Sequence, residues 1–74
     1  MAKREDDSEI RARFGRRLRD LRLANEFSQE ELALQSGLHR TYVSSAERGE
    51  RNVSLINLTK LGRALGVPPG ELLS

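Results

Sequence analysis

The 74-residue chain has no cysteine and only one histidine. That excludes a disulfide framework and a thiolate metal site, and one imidazole cannot build a metal cluster. No metal and no cofactor are expected. No apolar run approaches the length that crosses a bilayer. Met1 is followed almost at once by the charged string KREDDSE, so no signal peptide is read there. A cytoplasmic, nucleoid-associated location in a bacterium is the expectation. Strand signals are also missing, because Val and Ile never alternate with polar residues over strand length. Neither a nucleophile–base pair nor a phosphate-binding loop occurs, so no catalytic residue is assigned and the chain does not read as an enzyme.

Charge is nearly balanced, with 13 Lys+Arg against 11 Asp+Glu and a net charge of +2. Lysine is rare and arginine dominates. Arginine offers a planar fork of donors that suits phosphate and guanine. An arginine-rich genome gives the same composition, so composition alone does not establish nucleic-acid binding. A chain this short is one domain, and it is only marginally stable alone. No effector domain is expected. Regulation is expected to come from concentration, assembly or a partner.

The hydrophobic pattern is helical throughout. Residues 1–8 are a charged, flexible N-terminus, and residues 9–74 form the domain. Ile10, Phe14, Leu18 and Leu21 lie on one helical stripe. Arg13, Arg16, Arg17 and Arg19 fall largely off it and form a solvated face with some attraction for polyanions. SQEE predicts a capping box, with Ser28 as the cap and Glu31 reaching back. That second helix turns Leu32 and Ala33 inward and ends near Ser36, with Gly37 as a positive-φ stop. A third helix runs from about His39, its cap, to Gly49. Ser54 caps a fourth that carries Leu55, Leu58, Leu61 and Leu65 and ends at Gly66. VPPGELLS predicts a short fifth helix with proline at its start. Five helices with short links make a compact all-α domain.

Residues 28–48 carry most of the information. Two helices that meet across a tight turn near a right angle need a small residue at the approach, a turn glycine and apolar residues filling the angle. Ala33, Gly37, and Leu32, Leu38, Val43 and Ala46 supply these at mutually consistent spacing. The third helix then has a thin apolar anchor and a long polar display of Arg40, Thr41, Ser44, Ser45 and Arg48.

These strings, SQEELALQSGL, RTYVSSAERGERN and LGRALGVPPGELL, resemble the Cro/C1-type (Xre) helix-turn-helix family over residues 14–73. Within it the chain is most similar to the small controller proteins of restriction–modification systems. The resemblance implies a lambda-repressor-like DNA-binding domain whose third helix lies in the major groove. It assigns base contacts to Arg40 and Thr41, with Ser44 and Ser45 next along the groove. Arg40 can bond guanine O6 and N7, and Thr41 can touch a thymine methyl. It assigns DNA backbone contacts to Gln29, Tyr42, Arg48, Arg51 and Asn52. Tyr42 can also pack its ring at the domain edge. The second and fourth helices are expected to hold the third in place.

The resemblance also pairs Glu47 with Arg22 in a partly buried ion pair. Three departures from the family stand out. Glu26 occupies a position where glycine is common; either glutamate takes a left-handed backbone there at about 1 kcal/mol, or Asn25 absorbs the turn. Ala46 replaces a larger residue, leaving space that Tyr42 or Leu21 is expected to fill. Glu50 lies near the expected DNA backbone and should point away from it.

A single such unit reads few base pairs. Specific sites need two, held about 34 Å apart by a two-fold dimer on a palindromic operator. Val67, Pro68, Leu72 and Leu73 are the expected homodimer surface. The acidic pair Glu30 and Glu31 matches a position from which family activators touch the polymerase sigma subunit; stabilising the helix N-terminus is the plainer role. The function expected is a dimeric, autoregulatory transcriptional regulator, with an antitoxin-like or phage-type repressor module acting through a protein partner as the alternative.

Overall fold

The computed structural model describes residues 4–74, so the N-terminal expectation for residues 1–3 lies outside it. The helical signal is met by four α-helices: α1 (Asp7–Ala24), α2 (Gln29–Ser36), α3 (Arg40–Glu47) and α4 (Leu55–Leu65). The fifth element is a 3-10 helix, Pro69–Leu73, rather than an α-helix. With five residues and a proline at its start, it is too short to gain from α-type pairing. None of the described helices is long and apolar enough to cross a membrane.

Each helix starts where a side chain can satisfy a free backbone N–H. The α1 start comes earlier than expected because Asp6 caps it, accepting from the Glu9 N–H at 2.8 Å. That bond, and a second from the Ser8 hydroxyl, hold the Asp6 carboxyl below the usual carboxylate range. The Ser28–Glu31 capping box is complete: the Glu31 N–H donates to Ser28 Oγ at 3.0 Å and the Ser28 N–H to Glu31 Oε1 at 3.1 Å. His39 caps α3 through Nδ1, which accepts from the Thr41 N–H at 3.2 Å. Ser54 Oγ accepts from the Asn57 N–H at 3.1 Å to cap α4. Gly37 and Gly66 end α2 and α4 in the left-handed conformation.

Phe14, Leu18, Leu32, Ala33, Val43, Ala46, Leu61, Leu65 and Leu72 form the core. Helix α1 packs on α3 and on the 3-10 helix, and α2 packs on α3 and α4. The main supports of α3 are therefore α1 and α2, where the second and fourth helices were expected. Leu72 is fully buried. It closes the core and is not available to a dimer surface, which corrects the expectation for that residue. The side chain of Arg17 fastens this end to α1, donating to the Glu71 carbonyl at 3.0 Å and to its carboxylate at 3.1 Å.

Two backbone positions set the geometry around α3. At Gly15, inside α1, an added Cβ would sit 2.5 Å from the Glu47 carbonyl oxygen and 2.8 Å from that of Ala46. The glycine lets the α1 backbone touch α3 directly, and the small Ala46 belongs to the same close approach. Leu21 and Tyr42 pack half-buried against this core. At Glu26 the backbone is left-handed, with φ 58°. A residue with a Cβ costs about 1–2 kcal/mol in that conformation, and here the α1–α2 turn imposes it on glutamate.

Gly15→Ala should lower stability by about 1–3 kcal/mol through overpacking, although alanine is the better helix former by about 1 kcal/mol. Urea unfolding with a shifted midpoint checks this; an unchanged or raised midpoint would mean the helices can separate without cost.

Candidate nucleic-acid interface

Helical spacing places Arg40, Thr41, Ser44 and Arg48 on one face of α3 and its C-cap. Arg40, Thr41 and Arg48 are exposed and Ser44 is half-exposed. With Gln29 at the start of α2 they line one shallow open cleft. A second depression shares Gln29, Ser44 and Arg48 and adds Arg19, Arg22 and Glu47. The two form a continuous polar surface across α3, the first turn of α2 and the C-terminal half of α1. Gln29, the first residue of α2, borders both, and a helix N-terminus favours a nearby anion.

Beneath it lies a network that fixes the angle of α3. Arg22 Nε donates to Glu47 Oε2 at 2.6 Å and its Nη2 to Oε1 at 3.0 Å. A third donor, Nη1, goes to the Phe27 carbonyl at 2.9 Å. Gln29 Nε2 donates to Glu47 Oε1 at 3.1 Å. The Arg22 and Glu47 side chains are only 10% and 5% exposed. Among the described residues no buried side-chain polar atom lacks a partner. The structure thus brings Arg22, Glu47 and Gln29 together, and holds the acid of α3 paired and largely buried where it lines the second depression.

Other expected residues divide. Ser45 is buried, and its hydroxyl donates to the Tyr42 carbonyl at 2.9 Å while accepting from Arg51 Nε at 2.8 Å. The chain after α3 folds back over this flank, and the Glu50 N–H bonds the Ser45 carbonyl at 3.0 Å. Ser45 therefore cannot reach a base, which corrects its assignment as a contact. Tyr42 is half-buried, with the Arg51 guanidinium 5.2 Å from its ring centroid. Arg51 and Asn52 are exposed but lie beside Ile10 and Arg11 of α1, away from the α3 cleft. Arg48 is engaged by Glu50, which does not point away as expected.

The profile of the helix-turn-helix family HTH_3 matches residues 18–72. The chain belongs to this helix-turn-helix family. Control protein C.BamHI of Bacillus amyloliquefaciens is 54% identical over 65 residues, covering 86% of this chain and 80% of that protein. The crystal structure of the restriction–modification controller protein C.AhdI from Aeromonas hydrophila superposes with TM-score 0.81 at 57% identity, over 82% of this chain and 92% of that one. The biofilm master regulator SinR, solved in complex with DNA, superposes with TM-score 0.79 at 34% identity, over 82% of this chain and 98% of that one.

For this helix-turn-helix protein, the sequence reading missed Arg19. It lies three residues before Arg22, and that spacing puts both on one side of α1. Grouping the arginines of α1 as one solvated face hid the difference between them. Arg13 pairs with Glu5 at 3.1 Å and Arg17 with Glu71, whereas Arg19 borders the cleft.

Removing one partner of the buried pair, as in Glu47→Ala or Arg22→Ala, should cost about 3–5 kcal/mol. The double variant should cost clearly less than the sum of the two, measured by denaturant unfolding. Additive losses would show that the two residues act separately.

Proposed function

We propose that the protein is a dimeric, sequence-specific DNA-binding regulator of a restriction–modification system that acts at its own promoter. The polar face of α3 carries this reading. Arg40, Thr41 and Ser44 stand free of the core on a short helix whose angle the Arg22–Glu47 network fixes. That is what a helix needs to enter a major groove and read base edges. Arg40 supplies the bidentate donor pair for guanine, and Thr41 a methyl and a hydroxyl. Gln29 and the α2 N-terminus hold a phosphate and set the register. Arg19 adds a cation at the edge of the same face. The names of C.BamHI and C.AhdI, and the DNA in the SinR structure, support the same assignment.

Two copies are needed for an operator of useful length. With Leu72 in the core, the C-terminal set reduces to Val67, Pro68 and Leu73. Leu55 and Ile56 at the start of α4 are more exposed, at 78% and 68%. These two residues, side by side in the first turn of α4, are the apolar surface we assign to the homodimer.

Arg40→Ala should reduce discrimination between a selected duplex and a scrambled one by about 1–3 kcal/mol. A titration of both duplexes at fixed salt measures this. Loss of preference supports base reading through α3, whereas unchanged preference, or equal weak binding of both duplexes by the native protein, overturns it. Replacing Leu55 and Ile56 together by glutamate places acids in the first turn of α4, where the helix tolerates them. Sedimentation velocity should then show monomers; an unchanged dimer would move the interface elsewhere.

A further inference from the structure

We infer that Glu50 limits the affinity of the proposed DNA interface by occupying Arg48 as an internal substitute for a phosphate. The proposal rests on the DNA-binding reading above. Arg48, the C-cap of α3, borders both cleft regions, beside Ser44. Its Nε donates to Glu50 Oε2 at 3.0 Å and its Nη2 to Oε1 at 3.2 Å, a two-pronged grip of the kind arginine makes on phosphate. The remaining nitrogen, Nη1, donates to Ser44 Oγ at 2.6 Å. All three nitrogens are thus engaged within the chain, on the face that would meet DNA.

The turn that makes this possible is built in. Gly49 has φ 77°, and an added Cβ there would lie 3.1 Å from Ala12 Cα. The left-handed residue sends the chain back, so that Glu50 lies beside Arg48 rather than beyond it. The hydrogen bonds from Arg48 hold the Glu50 carboxyl below the usual carboxylate range, so it remains charged at neutral pH. Both side chains are more than half exposed, at 54% and 57%. An exposed pair like this adds little to stability. Its consequence falls on binding.

A phosphate approaching Arg48 must displace Glu50 or meet its charge. That cost falls on every complex in which Arg48 meets a phosphate, whatever the base sequence. Glu50 therefore lowers DNA affinity as a whole and keeps the face from holding DNA too tightly.

The test compares native protein with Glu50→Gln, which keeps size and shape and removes the charge. The probes are a duplex selected in vitro from a random pool and a scrambled duplex of equal length, titrated across a salt series. Glu50→Gln should raise affinity for the scrambled duplex about fivefold and steepen its salt slope by about 0.9. Affinity for the selected duplex should rise by a similar factor. In an Arg48→Gln background most of the gain should vanish. No gain on either duplex, or the same gain without Arg48, would each overturn the proposal while leaving the DNA reading intact. If native protein binds no duplex even at low salt, the DNA reading fails and the proposal falls with it.

Discussion

The buried pair between Arg22 and Glu47 is the constraint on which the arrangement of helices depends. It joins the end of α1 to the end of α3, reaches the α1–α2 turn through the Phe27 carbonyl, and meets the start of α2 through Gln29. Four parts of the chain share one set of charge-assisted hydrogen bonds. A buried ion pair is a weak source of net stability, because desolvation offsets much of the attraction. It is a strong source of geometry, because a carboxylate and a guanidinium satisfy each other in few orientations. In a domain with nine core residues, geometry is the scarcer quantity. The core can hold α3 against its neighbours, but apolar contact alone is non-directional. The ion pair supplies the missing direction.

Gly15 is the complement of that pair on the steric side. With no Cβ between them, the backbones of α1 and α3 come into contact at Ala46 and Glu47. The carboxylate of Glu47 is thereby brought within reach of Arg22 without a long, mobile side chain having to span a gap. The small residue at Ala46 and the glycine opposite are one feature, and its effect is to let a helix of eight residues sit firmly with little apolar surface of its own. Its outward face is then free to be polar. A larger residue at either place would fill more volume but would push α3 away from the partner that orients it.

Much of this was legible in the sequence because its causes are local. Ser28, His39 and Ser54 cap helices through bonds to residues two or three positions on, and such spacing can be read from a string. Gly37 and Gly66 mark helix ends for an equally local reason, the conformation of one residue. At the α1–α2 turn the string left two places for the left-handed residue, Glu26 and Asn25, and the structure puts it at Glu26. What escaped depends on where distant segments come to rest. Ser45 lies near the polar edge of α3, and only the return of residues 50–53 across that flank buries it. Leu72 and Leu73 are adjacent and chemically identical, yet one is fully buried and the other half exposed. That choice is made by the path of the 3-10 helix over α1 and α4, not by hydropathy. Arg19 was hidden among other arginines, because composition does not say which of them an acid will neutralise.

The same consideration explains how a chain with a net charge of only +2 can present a usable face to a polyanion. Phosphate attraction depends on where charge is placed, not on its sum. Three of the acids around α2 and α3 are given a task that limits their repulsion. Glu47 is buried against Arg22, so its charge is spent inside. Glu31 closes the capping box, where the α2 N-terminus favours a negative charge. Glu50 is held on Arg48. What remains open across the cleft is Arg19 and Arg40, with the neutral donors of Gln29, Thr41 and Ser44 between them. The three acids differ in how firmly they are committed. Glu47 cannot leave without unpairing a buried cation, and Glu31 cannot leave without exposing a helix end. Glu50 can be displaced at little cost to the fold, which makes it the one acid of the three that DNA would have to compete with.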